Sequence, residues 1–167
     1  MKKNQKKNSS ELYAVIGLGR FGMALARELA AKGKSLLVID YDREKINEVL
    51  EFTDNAFVIN SLTIDALEET GIGEADVAVV CIGEKIDISI LATLNLMKLG
   101  VKRVISKAMS EEQGEVLKLL GAEVVYPEHD MALRLASKLV SPHILEYISL
   151  SSSIDIMEIR MTPIIDG

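Results

Sequence analysis

Six short runs of apolar residues, rich in valine and isoleucine, limit the folds open to this chain more than any other feature. Each run has four to six residues, and the runs do not alternate between apolar and polar positions. Strands of this kind are buried on both faces, as in a parallel sheet covered by helices. The runs are Tyr13–Leu18, Ser35–Asp40, Ala56–Ile59, Val77–Ile82, Arg103–Ser106 and Glu123–Tyr126.

Longer stretches with helical spacing separate these runs. Glycine follows three of them, at Gly33, Gly100 and Gly121, which is a common way for a helix to end. Strands that alternate with helices predict an α/β fold, with a doubly wound, parallel, six-stranded Rossmann-like sheet and right-handed crossovers. The predicted helices lie near Met23–Lys32, Arg43–Glu51, Ile64–Thr70, Asp87–Leu99, Glu111–Leu120 and Met131–Val140.

The pattern changes after Ser141, where a proline follows. Residues 1–10 are predicted to be a disordered basic tail and 11–141 a nucleotide-binding domain. Residues 142–153 are predicted to form a short apolar helix, over His143–Leu150, and a serine linker. Ile154–Met161 alternates apolar and polar residues and predicts a half-buried strand, the first of a second lobe over 154–167. This lobe is expected to be incomplete.

Charge and composition exclude several classes of protein. The net charge is −6, and the first eight residues carry four lysines, so the chain without them has a net charge of −10. An acidic body disfavours binding to nucleic acid or to an anionic membrane surface. No apolar stretch approaches the length of a membrane span, and the amino terminus lacks the apolar region of a signal peptide. One cysteine excludes an internal disulfide and favours a cytoplasmic location.

The strongest functional motif is Gly17-Leu18-Gly19-Arg20-Phe21-Gly22, a G-x-G-x-x-G sequence. It follows a predicted strand and opens a predicted helix, which is the context that dinucleotide-binding loops require. In such loops the first glycine makes the tight turn, the second admits the pyrophosphate and the third allows close packing of helix on sheet. The amide groups at the start of the helix then favour an anion. A glycine turn without a ligand is the alternative.

Asp40 ends the second predicted strand, 18 residues after Gly22. An acidic residue at this place accepts hydrogen bonds from ribose hydroxyls, and it disfavours the 2′-phosphate of NADP. Arg20 lies inside the loop, and its guanidinium is able to form a bidentate contact with a terminal phosphate. ADP and ATP have such a phosphate and a dinucleotide lacks it. A solvated surface arginine is the alternative reading of Arg20.

Residues after the third and fourth strands flank the same predicted crevice. Asn60, Ser61 and Gly83 follow these strands, and their polar groups are candidates for contacts with an adenine base. Ordinary loop residues are an equally good interpretation. Catalytic groups are missing, because His129 and His143 lie in surface-like contexts and Cys81 lies inside a buried run. The chain is therefore expected to be a nucleotide sensor and not an enzyme.

Four segments resemble the RCK domain, also called the TrkA N-terminal or KTN domain, of regulatory subunits of Ktr- and Trk-type potassium uptake systems. They are Val15–Gly33, Leu36–Asp40, Val77–Val101 and Leu117–Ser151. The sequence YPEHDMALRLA followed by P-x-x-L-x-Y is the most specific part. The resemblance covers about residues 11–160. It implies a Rossmann lobe, a C-terminal crossover helix exchanged between partners and a small second lobe, of which this chain holds the first strand.

The resemblance also implies a function. Such domains form dimers and eight-membered rings beneath a membrane potassium channel or transporter, and the ring changes conformation when it binds ATP, ADP or NAD(H). Gly17, Gly19 and Gly22 would then line the phosphates, Asp40 would hold the ribose, and Asn60 and Ser61 would lie near the adenine. Arg20 would contact a terminal phosphate, and Lys107 would approach the phosphates. Glu128 would join a divalent cation site at the dimer interface, although from the sequence alone an acid at a helix start explains it better.

The sequence is also compatible with two further functions. One is a small NAD-dependent oxidoreductase or redox-sensing NAD-binding module, since the glycine loop and Asp40 suit NAD. The other is a structural assembly module whose glycine loop is empty. The apolar segments around Ile88–Leu99 and Pro142–Leu150 are candidate contacts between subunits, although burial in the core explains the first of them as well.

Overall fold

The computed structural model describes residues 11–140, 144–151 and 154–159. Within them, eight strands and six α-helices follow one another, and a short 3-10 turn at Ile72–Glu74 precedes the fourth strand. The strands are β1 Leu12–Ile16, β2 Ser35–Asp40, β3 Ala56–Val58, β4 Val77–Val80, β5 Arg103–Lys107, β6 Glu123–Val125, β7 Ile144–Ser151 and β8 Ile154–Ile159. The helices are α1 Arg20–Ala31, α2 Arg43–Val49, α3 Ile64–Glu68, α4 Ile86–Lys98, α5 Glu111–Leu119 and α6 Pro127–Val140.

The first six strands form one parallel sheet in the order β3-β2-β1-β4-β5-β6. The strand order reverses between β1 and β4, and in open α/β sheets ligands bind outside the carboxyl ends of the strands at such a point. The predicted doubly wound, six-stranded sheet is therefore confirmed. All six predicted runs contain strands, and β2 has the predicted bounds.

The core lies on both faces of this sheet, as the apolar runs predict. Ala14 and Ile16 of β1 belong to one cluster of buried side chains, which also contains Leu67 of α3 and Leu96 of α4. Val15 belongs to a second cluster, with side chains of α1 and α2. Because successive residues of a strand point to opposite faces, this division shows that helices cover the sheet on both sides.

Polar side chains set the starts of several helices. Asp42, Thr63 and Ser110 accept hydrogen bonds from amides in the first turns of α2, α3 and α5, at 2.9, 3.5 and 3.2 Å. These residue types are the preferred N-caps, because each satisfies an amide that the helix itself leaves without a partner. In the part of the chain that the structure describes, no helix is long and apolar enough to cross a membrane.

The chain divides into two compact units, and the division falls between Val125 and Tyr126. The first unit holds the parallel sheet with α1 to α5, and the second holds α6 and the antiparallel pair β7–β8. The sequence predicts a first domain that extends to residue 141, whereas the structure groups α6 with the residues that follow it. The predicted tail over 1–10 lies outside the described residues.

The helix predicted over His143–Leu150 is wrong where the structure describes it, because residues 144–151 form strand β7. The spacing of apolar residues in this segment fits one face of a helix, but isoleucine and tyrosine are favoured in strands. The neighbouring strand β8 supplies the hydrogen-bonding partner that decides between the two. The strand predicted from Ile154 is confirmed as β8, over Ile154–Ile159.

Candidate nucleotide-binding site

The glycine loop joins β1 to α1 at the centre of the sheet. Gly17 has φ of +92°, a left-handed conformation that glycine adopts without steric cost. Its amide donates to the carbonyl of Ile39 at 2.8 Å, which ties the loop to the end of β2. The chain thus turns sharply at Gly17 and enters α1 three residues later, as the motif predicts.

Two glycines of the loop meet different surroundings. A Cβ atom on Gly22 would lie 1.9 Å from the carbonyl oxygen of Gly17 and 3.0 Å from Cβ of Cys81. Helix α1 therefore packs against the sheet at a distance that only glycine allows. A Cβ atom on Gly19 would meet nothing within 4 Å among the described residues. Gly19 therefore faces open space, where a ligand is able to approach the main chain.

The start of α1 is free of side-chain capping. Gly19 is the N-cap of this helix and has no side chain to accept from the first amides, in contrast to Asp42 at the start of α2. Uncapped amides and the helix dipole both favour an anion at this point. Arg20 is the first residue of the helix and is exposed, and within residues 11–140 its side chain forms no hydrogen bond or ion pair.

Asp40 connects the end of β2 to the glycine loop. Its carboxylate is buried, with Oδ2 accepting from the amide of Leu18 and Oδ1 accepting from the amide of Asp42 at 2.8 Å. A carboxylate has about four lone-pair directions, so these two bonds leave acceptor capacity for hydroxyl groups. The same side chain thus fixes the shape of the loop and faces the neighbouring cavity.

A cavity of about 390 Å³ opens at the carboxyl ends of β1 to β4. This is the lower part of the range of about 300–1,000 Å³ found for small-molecule sites. Much of its wall is isoleucine and leucine, and its polar side chains are those of Asp40, Tyr41, Asn60, Ser61 and Lys85. The full lining is Ile16, Gly17, Ile39, Asp40, Tyr41, Ile59, Asn60, Ser61, Leu62, Ile82, Lys85, Ile88 and Leu91.

The structure brings four of the predicted site residues to this cavity, namely Gly17, Asp40, Asn60 and Ser61. The other members of the loop lie beside it, at the start of α1. Leu18 is buried and Phe21 is half-buried, and both side chains pack in the core cluster formed with α1 and α2. Their contribution to a ligand would therefore come from main-chain amides and not from their side chains.

Gly83 and Lys107 lie close to each other, outside the lining of this cavity. A Cβ atom on Gly83 would be 3.4 Å from Nζ of Lys107 and 3.0 Å from Sδ of Met109. Lys107 ends β5 and is buried. Its ammonium group thus sits at the carboxyl edge of the sheet, one strand beyond the reversal of strand order.

Cys81 is a core residue, as predicted, and is 6% exposed. Burial raises the pKa of this thiol to about 12, and the charge of Lys107 offsets only part of that effect. The thiolate is the reactive form of cysteine, so this thiol is inert in the folded protein.

We therefore expect Cys81 to resist an aromatic disulfide reagent at neutral pH until the protein unfolds. The absorbance of the released thiolate measures this directly, with and without denaturant. Rapid labelling of the native protein would contradict the burial and the raised pKa, and would favour a redox-sensing module.

Glu128 lies in the first turn of α6 and is exposed. It belongs to the second compact unit, together with its neighbours His129 and Asp130. Within the described residues, no three acidic, histidine or cysteine side chains gather to hold a metal ion. The divalent cation site at Glu128, which requires a dimer interface, stays a prediction.

Tyr41, Lys85, Ile88 and Leu91 line the cavity but were not among the predicted site residues. Tyr41 follows Asp40 directly, and Lys85 lies two residues after Gly83. Both therefore follow strands whose carboxyl ends meet at the crevice. This position in the sequence is the signal by which they could have been predicted as site residues. The two helix residues carry no such signal, because apolar spacing does not separate a cavity wall from a core.

A parallel sheet in this strand order, a glycine loop and an acid at the end of β2 define a Rossmann-type nucleotide-binding domain. The family model of the TrkA-N domain matches residues 13–127. The chain belongs to this family, which is the RCK family that the sequence resembles.

Individual relatives agree with this assignment. The chain is 38% identical over 148 residues to the Ktr system potassium uptake protein C of Bacillus subtilis, covering 88% of this chain and 67% of the relative. The TrkA-N domain of the inner membrane protein ybaL from Escherichia coli superposes with a TM-score of 0.70 at 19% identity, covering 80% of this chain and 99% of that one. GsuK bound to ADP gives 0.63 at 28% identity, covering 77% of this chain and 34% of that one.

Proposed function

We propose that this protein is a nucleotide-sensing regulatory subunit of a potassium uptake system. Membership of the TrkA-N family and 38% identity to a Ktr system potassium uptake protein support a regulatory role in potassium transport. In this proposal the chain is cytoplasmic and lies at the inner face of the membrane through its partner, a membrane potassium channel or transporter. Adenine nucleotide is the signal, and nucleic acid is not a partner.

The observation that carries the proposal is the combination of an open glycine loop with a buried aspartate on one cavity. The apolar wall around Ile59 and Leu62 suits an adenine base, and Asp40 suits the ribose. The phosphates would then lie over Gly17 and Gly19, next to the uncapped amides at the start of α1. GsuK, solved with ADP, is a structural relative at 28% identity that supports this ligand class.

Arg20 is the group that would distinguish nucleotides by their number of phosphates. Its guanidinium lies at the start of α1, exposed and free of partners within residues 11–140. A ligand shifts a conformational equilibrium only by its difference in affinity for the two states. The γ-phosphate of ATP, which ADP lacks, would supply that difference if it binds Arg20 of the same or a neighbouring subunit.

Assembly into dimers and an octameric ring is part of the proposal, since a ring converts nucleotide binding into movement at the membrane partner. Leu91 of α4 and Leu119 of α5 are 46% and 88% exposed in the isolated chain and would suit contacts with a second copy. Glu128 would contribute to a divalent cation site between two such copies. Lys107 would assist at the phosphates from the end of β5.

The test is a calorimetric titration of the protein with ATP, ADP and NADH, repeated on Arg20→Ala. We expect the wild-type protein to bind at least one adenine nucleotide, and the variant to lose affinity for ATP by about tenfold, as for a hydrogen bond between charged groups. Its affinity for NADH should change little, because NADH has no terminal phosphate.

Arg20→Lys is the matched control, since it keeps a charge but loses the guanidinium fork. It should bind ATP with an affinity between those of the wild-type protein and Arg20→Ala. Equal weakening of ATP and NADH binding by Arg20→Ala would contradict the role of Arg20. Absence of binding by the wild-type protein would contradict the proposed function itself.

A small NAD-dependent oxidoreductase or redox-sensing NAD-binding module is the second candidate. The buried acid at the end of β2 favours it, because this is the residue that typically binds the adenosine ribose of NAD. Incubation with NADH and a panel of small carbonyl compounds separates the two candidates. Measurable oxidation of NADH with turnover would replace the sensor by the oxidoreductase.

A further inference from the structure

Tyr41 and Lys85 approach each other from two separate loops. Tyr41 follows β2 and is 64% exposed, and Lys85 precedes α4. Nζ of Lys85 lies 5.4 Å from the centroid of the Tyr41 ring, within the range of a cation–π contact. Both residues line the nucleotide cavity.

This contact crosses the cavity and does not merely flank it. Strands β2 and β4, after which the two loops begin, are not neighbours in the sheet, because β1 lies between them. The contact therefore spans the carboxyl end of β1. Ile16 and Gly17, at that end, line the same cavity.

We propose that Tyr41 and Lys85 form a clasp across the mouth of this cavity, which opens when a nucleotide enters or leaves. This inference rests on the proposed nucleotide-binding function. It adds that Tyr41 and Lys85 set the rate of nucleotide exchange. An exposed cation–π contact changes an equilibrium by about two- to fivefold. The clasp is thus weak enough to open on binding and strong enough to measure.

Lys45 offers a matched control within the same chain. Its Nζ lies 5.8 Å from the same ring, but Lys45 also pairs with Asp42 at 3.9 Å and is absent from the cavity lining. Lys45 belongs to α2, the helix that follows β2, so its contact with Tyr41 does not cross to the loop after β4. Lys45 shares the chemistry of Lys85 but not its position.

The experiment measures the exchange of ADP by line-shape analysis of its adenine protons, with affinity measured by calorimetry. We expect Tyr41→Ala and Lys85→Gln each to speed dissociation of ADP by about two- to fivefold. The double variant should be no faster than either single variant, because each change removes the same contact. Tyr41→Phe and Lys85→Arg keep a ring and a cation and should exchange like the wild-type protein.

Exchange of adenosine, which has no phosphates, distinguishes a clasp from electrostatic attraction between Lys85 and the phosphates of the nucleotide. Faster exchange of adenosine in Lys85→Gln supports the clasp, whereas an effect on ADP alone overturns it in favour of electrostatic attraction. The clasp is also overturned if Lys45→Gln speeds exchange as much as Lys85→Gln, or if neither Tyr41→Ala nor Lys85→Gln changes the rate. A wild-type protein that binds no adenine nucleotide removes the proposed function and the clasp together.

Discussion

Gly22→Ala is expected to abolish nucleotide binding and to destabilise the protein. The added methyl group would lie 1.9 Å from the carbonyl oxygen of Gly17, a main-chain atom of the loop itself. Helix α1 has to move away from the sheet or the loop has to deform, and either change displaces the amides that face the ligand. Overpacking of this kind costs about 1–3 kcal/mol or more. Thermal unfolding and calorimetry with ATP and ADP measure the two effects.

Gly19→Ala is the matched control, because the same methyl group meets nothing within 4 Å of it in the described chain. Its cost in stability is limited to the change of N-cap residue, about 0.5 kcal/mol. Its effect on binding should nevertheless be large, since the new Cβ occupies the space through which phosphates approach. A Gly19→Ala protein that binds nucleotide with wild-type affinity would contradict the placement of phosphates over this residue.

Asp40→Asn is expected to lower both stability and affinity. The carboxylate accepts from the amides of Leu18 and Asp42, and the side-chain amide of asparagine has only one acceptor oxygen for these two donors. A buried amide left without an acceptor costs about 1–3 kcal/mol. At this chain length each kcal/mol lowers Tm by about 2–4 °C, which a thermal melt detects.

A nucleotide without ribose hydroxyls tests whether Asp40 binds the ribose. Dideoxy-ATP, which lacks both ribose hydroxyls, should bind the wild-type protein less tightly than ATP does. On Asp40→Asn the two nucleotides should differ much less, because the acceptor of the hydroxyls is weakened. Asp42→Asn is the control variant, since asparagine caps a helix as well as aspartate and α2 should keep its start. An undiminished difference between the nucleotides on Asp40→Asn would contradict ribose binding by this residue.

The sequence predicts the parallel sheet well, because its signals are local. Valine-rich runs such as Val77–Val80 do not alternate, and burial on both faces follows from that alone. The position of Asp40 is equally predictable, since it ends a strand next to the strand that carries the glycine loop. The family then follows from the motifs around these elements, and the match over residues 13–127 confirms it.

Contacts between distant segments were not predictable in this way. The hydrogen bond from Leu18 to Asp40 joins residues 22 positions apart, and the contact between Tyr41 and Lys85 joins two loops. Neither has a signature in spacing or composition. The helix predicted at β7 is wrong for a related reason, because pairing with β8, and not the spacing of its apolar residues, decides its structure.

The two outer strands of the parallel sheet have a consequence for how copies of this protein are able to associate. β3 and β6 each have three residues, and Glu123 on β6 is held by Arg103 through two hydrogen bonds of 2.6 and 2.7 Å. Edge strands this short offer few main-chain groups for pairing with a strand of another molecule, and the charged pair protects the β6 edge further. Edge-to-edge pairing of two parallel sheets is thus disfavoured, and within this unit the helix surfaces are better suited to association between copies.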